Sequence, residues 1–306
     1  MAGIGFLFSG QGAQYPGMGK ALYESSPAAR DVLDRLNARR KDLLELCFQG
    51  TAEELSQTEN TQPAVYAVDL AAAAAAWEAG MKPTAAAGFS LGELAALAFA
   101  GYYSPEAGFD LVCRRAALMA EAAAKNPGAM LAVLRMENEA VEALCRGRAL
   151  YPVNYNCPGQ LVVSGTPEDI VYLQEAVKEA KGRSILLPVS GGFHSPFMDE
   201  AAAMMKGELE RIDFQAPWIL VYSNFTGQRY EGDPADLLMN QINHPVLWET
   251  IIRGMAGQGI DCFAEAGPGK TLSGFVPRIA PEARVISVDA TGDLEQWKEE
   301  QKNVER

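Results

Sequence analysis

Residues Gly88-Phe89-Ser90-Leu91-Gly92 form a G-x-S-x-G sequence between an apolar run at 85–89 and a helical pattern at 91–100. A strand-to-helix bend this tight excludes side chains at the glycine positions. In return it holds a serine hydroxyl above the sheet, with the N–H of Leu91 and a helix N-terminus facing any oxyanion formed there. The bland alternative is a Gly/Ser turn with no chemistry, common for five-residue patterns. The flanking strand and helix patterns supply the context a nucleophile requires, so Ser90 is read as one.

A serine nucleophile needs a base, and the chain contains two histidines. His194 lies in the glycine-bearing segment Ser190-Gly191-Gly192-Phe193-His194-Ser195-Pro196, expected to be a flexible loop able to carry a ring to the site. His244 precedes Pro245, which confines it to extended backbone, and it is read as a surface or structural residue. With two histidines, no HExxH and no Cys/His cluster, a metal site is not expected and metal-assisted hydrolysis is disfavoured.

Three further segments carry residues with chemical potential. Gly10-Gln11-Gly12-Ala13-Gln14 lacks the third glycine of a dinucleotide fingerprint, since position 15 is Tyr. It reads as a tight turn after a strand, with Gln11 placed to donate an amide to an oxyanion. Ala264-Glu265-Ala266-Gly267-Pro268-Gly269-Lys270-Thr271 imitates a Walker A loop. Only 35 residues follow Thr271, however, and Pro268 removes one of the N–H groups a phosphate cradle uses. Arg114-Arg115 interrupts an apolar helical pattern at Leu111, Val112, Leu118 and Met119. Neighbouring helix positions point about 100° apart, so at most one arginine faces inward. The spacing is compatible with two solvated arginines, or with one buried guanidinium awaiting a carboxylate that its planar fork binds bidentately.

The elements that position these residues read as an α/β alternation. A strand is expected at 4–8, and a helix from Ser26-Pro27 to about 40. A second helix starts at Thr61-Gln62-Pro63 and stops at Gly80, and another runs from Pro105 to about 125. Residues 129–187 then give strand, helix, strand, turn (156–159), strand, helix, strand, the β-α-β-β-α-β order of a ferredoxin-like unit. Strand-like runs resume at 219–223, 261–265 and 284–289, which makes that unit an insert in a larger, mostly parallel sheet. The expected division is a large part formed by 1–127 and 196–306, and a small one at 128–195. The last dozen residues, rich in Glu, Gln and Lys, read as a frayed tail.

Composition narrows the class. The 306 residues carry 26 Lys+Arg against 39 Asp+Glu, a formal charge of −13, with no basic block. Nucleic acid is therefore not an expected partner, because binding it needs a basic footprint to release counterions. The longest alanine-rich run, 71–77, falls far short of the roughly 20 residues of a spanning helix, so no membrane association is expected. No signal peptide is read at the N-terminus. Five dispersed cysteines without a CxxC point to a reducing, cytoplasmic setting.

Taken together, FSGQGAQYPGMG from Phe8, TQPAVYAVDLA from Thr61, GFSLGELAALAFAG from Gly88, the Arg115 helix, PVNYNCPGQLVVSG from Pro152, GGFHSPFM from Gly191, QINHPVLWE from Gln241 and EAGPGKTLSG from Glu265 resemble the malonyl-CoA:acyl-carrier-protein transacylases over nearly the whole chain. The resemblance implies a hydrolase-like α/β domain with a ferredoxin-like insert. It also implies malonyl transfer to a carrier-protein phosphopantetheine thiol through a malonyl-serine ester, with ping-pong kinetics. Ser90 matches the nucleophile and His194 the base. Gln241 matches the residue whose main-chain carbonyl orients the imidazole, and Gln11 and Leu91 the main-chain oxyanion donors. Arg115 matches the carboxylate-binding arginine, with Phe193 and Met119 in the substrate site. No bound cofactor is implied; malonyl-CoA is the donor, the carrier protein the acceptor, and the chain is expected to act as a monomer. Two departures stand out. Phe89 occupies a position where most members have His, which alters the pocket or loop. Ser9 replaces a frequent Pro, an exchange expected to be without consequence. Alternatives are an acyl hydrolase of similar fold, an acyltransferase of polyketide synthesis with other acyl selectivity, and a non-catalytic carrier-docking subunit.

Overall fold

The computed structural model describes residues 3–189, 191–289 and 291–304. These residues form strands β1 (Gly3–Phe8), β2 (Ala85–Gly88), β3 (Ala129–Leu134), β4 (Leu150–Cys157), β5 (Gln160–Gly165), β6 (Arg183–Leu186), β7 (Leu220–Tyr222), β8 (Ile260–Ala266) and β9 (Arg284–Val288). The chain divides into two compact units, one of 1–116, 212–222 and 255–306, the other of 117–211 and 223–254.

In the first unit five strands lie in the order β7-β2-β1-β8-β9, and every neighbouring pair is parallel. Parallel strands are covered on both faces, so they read as continuous apolar runs. Phe6, Leu7 and Phe8 are accordingly all buried, and the Phe99 ring sits 5.4 Å from that of Phe6 and 5.6 Å from that of Phe8. β2 is three alanines and a glycine, small enough for helix Leu91–Ala100 to pack closely over it.

The longest covering element, helix Thr58–Glu78, is buried around most of its circumference and carries no amphipathic stripe. It begins one turn before the expected start. Pro63 lies inside it rather than in its first turn. Proline removes the bond that would reach the carbonyl of residue 59. Arg40 Nη1 donates to the Glu59 carbonyl at 3.1 Å, and Nη2 donates to Asn60 Oδ1 at 2.6 Å. Thr61 therefore does not cap; its hydroxyl donates to the Gln57 carbonyl at 3.0 Å. At the other end the chain departs from expectation again. Helix Thr291–Val304 takes in most of the stretch read as a frayed tail, because Leu294 and Trp297 are buried and Arg284 pairs with Glu300 at 2.5 Å. Glu305 and Arg306 lie outside the described residues.

In the second unit an antiparallel sheet in the order β4-β5-β3-β6 is covered by helices Asn138–Cys145 and Pro167–Glu179, the ferredoxin-like arrangement expected. Leu131, Val133, Leu161 and Val163 pack against Val141 and Ile170. The β4–β5 turn is tighter than expected. Cys157 pairs with Gln160, leaving only Pro158 and Gly159, the latter at φ +71°. The unit is also wider than 128–195. Residues 245–247 return to the free edge of β4, where Val246 donates to the Val153 carbonyl at 2.7 Å and accepts from the Tyr155 N–H at 3.0 Å. Helices Asp199–Leu209 and Pro234–Asn243 pack on one another, with Asn243 donating to Asp199. Backbone pairing thus ties the later segment to the small sheet. Among the described residues no helix is long and apolar enough to cross a membrane.

Replacing Arg40 with Ala should lower the stability of the chain by about 1–2 kcal/mol in urea denaturation, since the Glu59 carbonyl and Asn60 lose their donor. Its pair with the exposed Asp42 contributes little of this. Lys at position 40 should recover only part, having no fork to reach both acceptors.

Candidate active site

The strand-to-helix bend is built by contacts that leave no space for a methyl group. A Cβ on Gly88 would fall 1.9 Å from the carbonyl of Gly92, and one on Gly92 would fall 2.2 Å from the Phe8 carbonyl. Ser90 takes the strained backbone φ 52°, ψ −105° as the residue preceding helix Leu91–Ala100. Such conformations persist only where the surroundings over-determine them. Here the Gly92 N–H bonds the Phe89 carbonyl and the Glu93 N–H bonds the Ser90 carbonyl, at 3.0 and 3.1 Å. Leu91 stands at the first helical position, where a backbone N–H has no partner within its own helix.

The turn after β1 packs on this bend. A Cβ on Gly10 would lie 2.5 Å from the Phe89 carbonyl. The side-chain amide of Gln11 donates to Thr58 Oγ1 at 3.3 Å, which leaves the main-chain N–H as the group available for the expected oxyanion role. Phe89 turns its ring toward Phe275, with centroids 6.5 Å apart. Ser9 is not a silent exchange, contrary to expectation: its buried hydroxyl lies 3.2 Å from the Pro268 carbonyl and 3.5 Å from Glu265 Oε1.

The arginine pair resolves as one of each kind. Arg114 is exposed and Arg115 is buried. Arg115 Nη2 donates to Ser90 Oγ at 3.2 Å and Nη1 to Gln62 Oε1 at 2.7 Å. Burial pulls the guanidinium down to about 10, with Glu93 and Tyr103 opposing, so it stays cationic at neutral pH. Gln62 and Glu93 were not singled out from the sequence as site residues. Their signal was a polar side chain inside an otherwise apolar helix, and both are buried. The Walker-like segment has its own anion. Glu265 accepts from the N–H groups of Leu272 and Ser273 at 3.0 and 2.7 Å, filling the N-terminus of helix Thr271–Ile279 where a phosphate would bind.

The second unit holds the histidine. His194 has φ 61°, and its Nδ1 lies 2.8 Å from the main-chain carbonyl of Gln241, with both residues buried. A carbonyl only accepts, so Nδ1 carries the hydrogen and Nε2 keeps the lone pair of a base. From Gly191 onward the segment is not the flexible loop expected, and Ser190 lies outside the described residues. Residues 191–195 are all buried; Ser195 donates to the Gly192 carbonyl, and Ser164 donates to the Phe193 carbonyl at 2.8 Å. A Cβ on Gly191 would sit 2.6 Å from that of Ala123, so this glycine serves close packing. Phe193 and Met119 are buried apolar residues of the same unit, Met119 four positions beyond Arg115 along helix Pro105–Lys125. His244 has the structural part expected: it ends helix Pro234–Asn243, bonds the Asn240 carbonyl and packs its ring 4.8 Å from that of Phe225. Among the described residues no group of three or more His, Cys, Asp or Glu is arranged to hold a metal ion.

Known proteins with this arrangement are close in both sequence and structure. The acyl transferase domain family matches residues 5–278. The malonyl CoA-acyl carrier protein transacylase of Bacillus subtilis is 38% identical over 304 residues, 96% of each chain. A crystal structure of the enzyme of that name from Clostridium perfringens superposes with a TM-score of 0.94 at 38% identity, covering 99% of this chain and 98% of the other. A malonyl-transacylase in complex with its type II PKS acyl-carrier protein superposes at 0.92, with 32% identity and 98% and 100% coverage. The chain therefore belongs to the acyl transferase domain family, as an acyltransferase with a parallel α/β sheet and a small antiparallel one.

Proposed function

We propose that this chain transfers a malonyl group from malonyl-CoA to the phosphopantetheine thiol of an acyl carrier protein, through an ester on Ser90. The observation that carries the reading is the buried Arg115 fork, 3.2 Å from the Ser90 hydroxyl. A buried guanidinium beside a nucleophile presents a planar fork that fits a carboxylate bidentately. An acyl group that is also a short diacid supplies one. The names of the relatives agree: the Bacillus subtilis protein is a malonyl CoA-acyl carrier protein transacylase, and one structural neighbour holds a carrier protein.

In the reaction, Ser90 Oγ attacks the thioester carbonyl as His194 Nε2 takes its proton. The Gln241 carbonyl holds the imidazole in the tautomer that permits this and stabilises the imidazolium that forms. The carbonyl oxygen becomes an oxyanion facing the main-chain N–H groups of Gln11 and Leu91, donors worth roughly 3 kcal/mol each in comparable sites. Collapse breaks the C–S bond, and CoA leaves with the proton from His194. The carrier thiol then gives its proton to His194, attacks the ester carbonyl, and displaces Ser90, which recovers its hydrogen. Arg115 takes the distal carboxylate throughout, shifting from its contacts to Ser90 and Gln62. Phe193 limits room beside the α-carbon, favouring malonyl over α-branched acyl groups, and Met119 contributes apolar lining. No resident cofactor takes part, and a monomer suffices.

Ser90→Ala should abolish the mass increase of one malonyl group seen by intact-mass spectrometry after mixing with malonyl-CoA; a malonylated Ala variant removes the nucleophile assignment. Arg115→Ala should lower kcat/KM for malonyl-CoA by about 100-fold or more, the cost of breaking a buried ion pair, while relative use of acetyl-CoA rises. Unchanged selectivity would make Arg115 structural. Malonate released without carrier, in place of malonyl-carrier product, would favour the hydrolase reading.

A further inference from the structure

Two buried carboxyl groups that the transfer chemistry does not use converge behind the Gly10–Gln11 turn. Asp69, on helix Thr58–Glu78, is fully buried, and neither of its oxygens has a hydrogen-bond partner of good geometry among the described residues. Glu265, at the end of β8, is equally buried but accepts two backbone N–H groups at a helix N-terminus. Ser9, immediately after β1, points its hydroxyl at Glu265 and at the Pro268 carbonyl. Gly267 closes the gap: at φ +146°, a Cβ there would fall 2.0 Å from Asp69 Oδ1 and 2.6 Å from Ser9 Oγ. Three segments from distant parts of the chain thus meet where there is no space for another atom.

An unpaired carboxylate in such a place is too costly to keep, and two of them repel. Glu265 has the donors and the helix dipole that favour an anion. Asp69 has only the Ser9 N–H against it and no helix N-terminus, so of the two it is the one favoured to hold the proton. Burial drives the Asp69 carboxyl well above its usual range, and the neighbouring Glu265 adds to this, with the Ser9 N–H a partial offset. Burial raises Glu265 as well, but its N–H donors and Ser9 hold it back. Glu265 is the charged side chain acting on Asp69; the Tyr66 phenol on the same helix is pushed up chiefly by its own burial.

We infer that Ser9 and Asp69 are positioning residues for acyl transfer: with Glu265 they form a one-proton cluster that fixes the Gly10–Gln11 turn against the bend bearing Ser90. The inference rests on the proposed main-chain oxyanion role of Gln11. With the cluster singly charged, the Ser9 hydroxyl ties the root of the turn to the end of β8. A second charge forced onto Asp69 at alkaline pH displaces Ser9 and Gly267, and with them the oxyanion donor. A displacement of about 1 Å is enough to slow such a step substantially.

The test follows the acylation rate at saturating malonyl-CoA by rapid-quench intact-mass measurement between pH 6 and 9.5, with melting temperatures over pH 4.5–8.5. Ser9→Ala should lower the maximal rate about tenfold while KM for malonyl-CoA stays within about twofold. The native chain should lose maximal rate at alkaline pH, and Asp69→Asn should remove that fall. A carboxyl whose pKa is raised by folding costs increasing stability as pH climbs from about 3.9 towards the folded value. Asp69→Asn should therefore melt above the native chain at pH 8.5, with the gap closed at pH 4.5. A Ser9→Ala variant with native maximal rate, or an Asp69→Asn rate profile that overlays the native one, overturns the inference. The melting comparison involves no chemistry at Ser90, so it separates failure of the cluster from failure of the ester mechanism.

Discussion

Everything chemical in the first unit depends on the contact between Gly92 and the end of β1. With 2.2 Å between a hypothetical Cβ and the Phe8 carbonyl, helix Leu91–Ala100 can start only where it does. That start forces Ser90 into its strained backbone as the residue preceding the helix. The same crowding presses Gly10 onto Phe89, so the turn carrying Gln11 follows the bend. Position here is set by backbone atoms in contact, which are stiffer than any side-chain hydrogen bond.

The second constraint is electrostatic. Burying Arg115 creates a charge that stays cationic at neutral pH and is held by the neutral acceptors Gln62 and Ser90, with Glu93 acting on it from helix Leu91–Ala100. Neutral acceptors are exchangeable: a carboxylate outbids both. The histidine is prepared differently. Its partner is a carbonyl, which fixes a tautomer without adding the negative charge of a triad acid.

Much of this was legible in the sequence where local chemistry decides. The G-x-S-x-G bend, the βαββαβ order and the helix that starts at Ser26-Pro27 follow from residue type and spacing. Features that depend on distant partners were not. Thr61-Gln62-Pro63 looks like a helix start, but Arg40 supplies a donor for the carbonyl that Pro63 strands. The polar C-terminal stretch conceals two anchors, Leu294 and Trp297. Which of Arg114 and Arg115 turns inward depends on phase against helices far away in sequence. Ser9 looked inert because its partners, Glu265 and Pro268, lie some 256 and 259 residues away.

Those separations bear on how the chain acquires its structure. The small antiparallel sheet pairs strands drawn from one stretch, 129–186, and closes short loops. β1 instead waits between β2 and β8, the latter more than 250 positions downstream. During synthesis the ferredoxin-like unit has all its strands long before the central sheet has its fifth. An apolar strand-forming segment thus emerges long before its downstream partner β8, the order of events in which a long-range topology folds slowly and benefits from a chaperone.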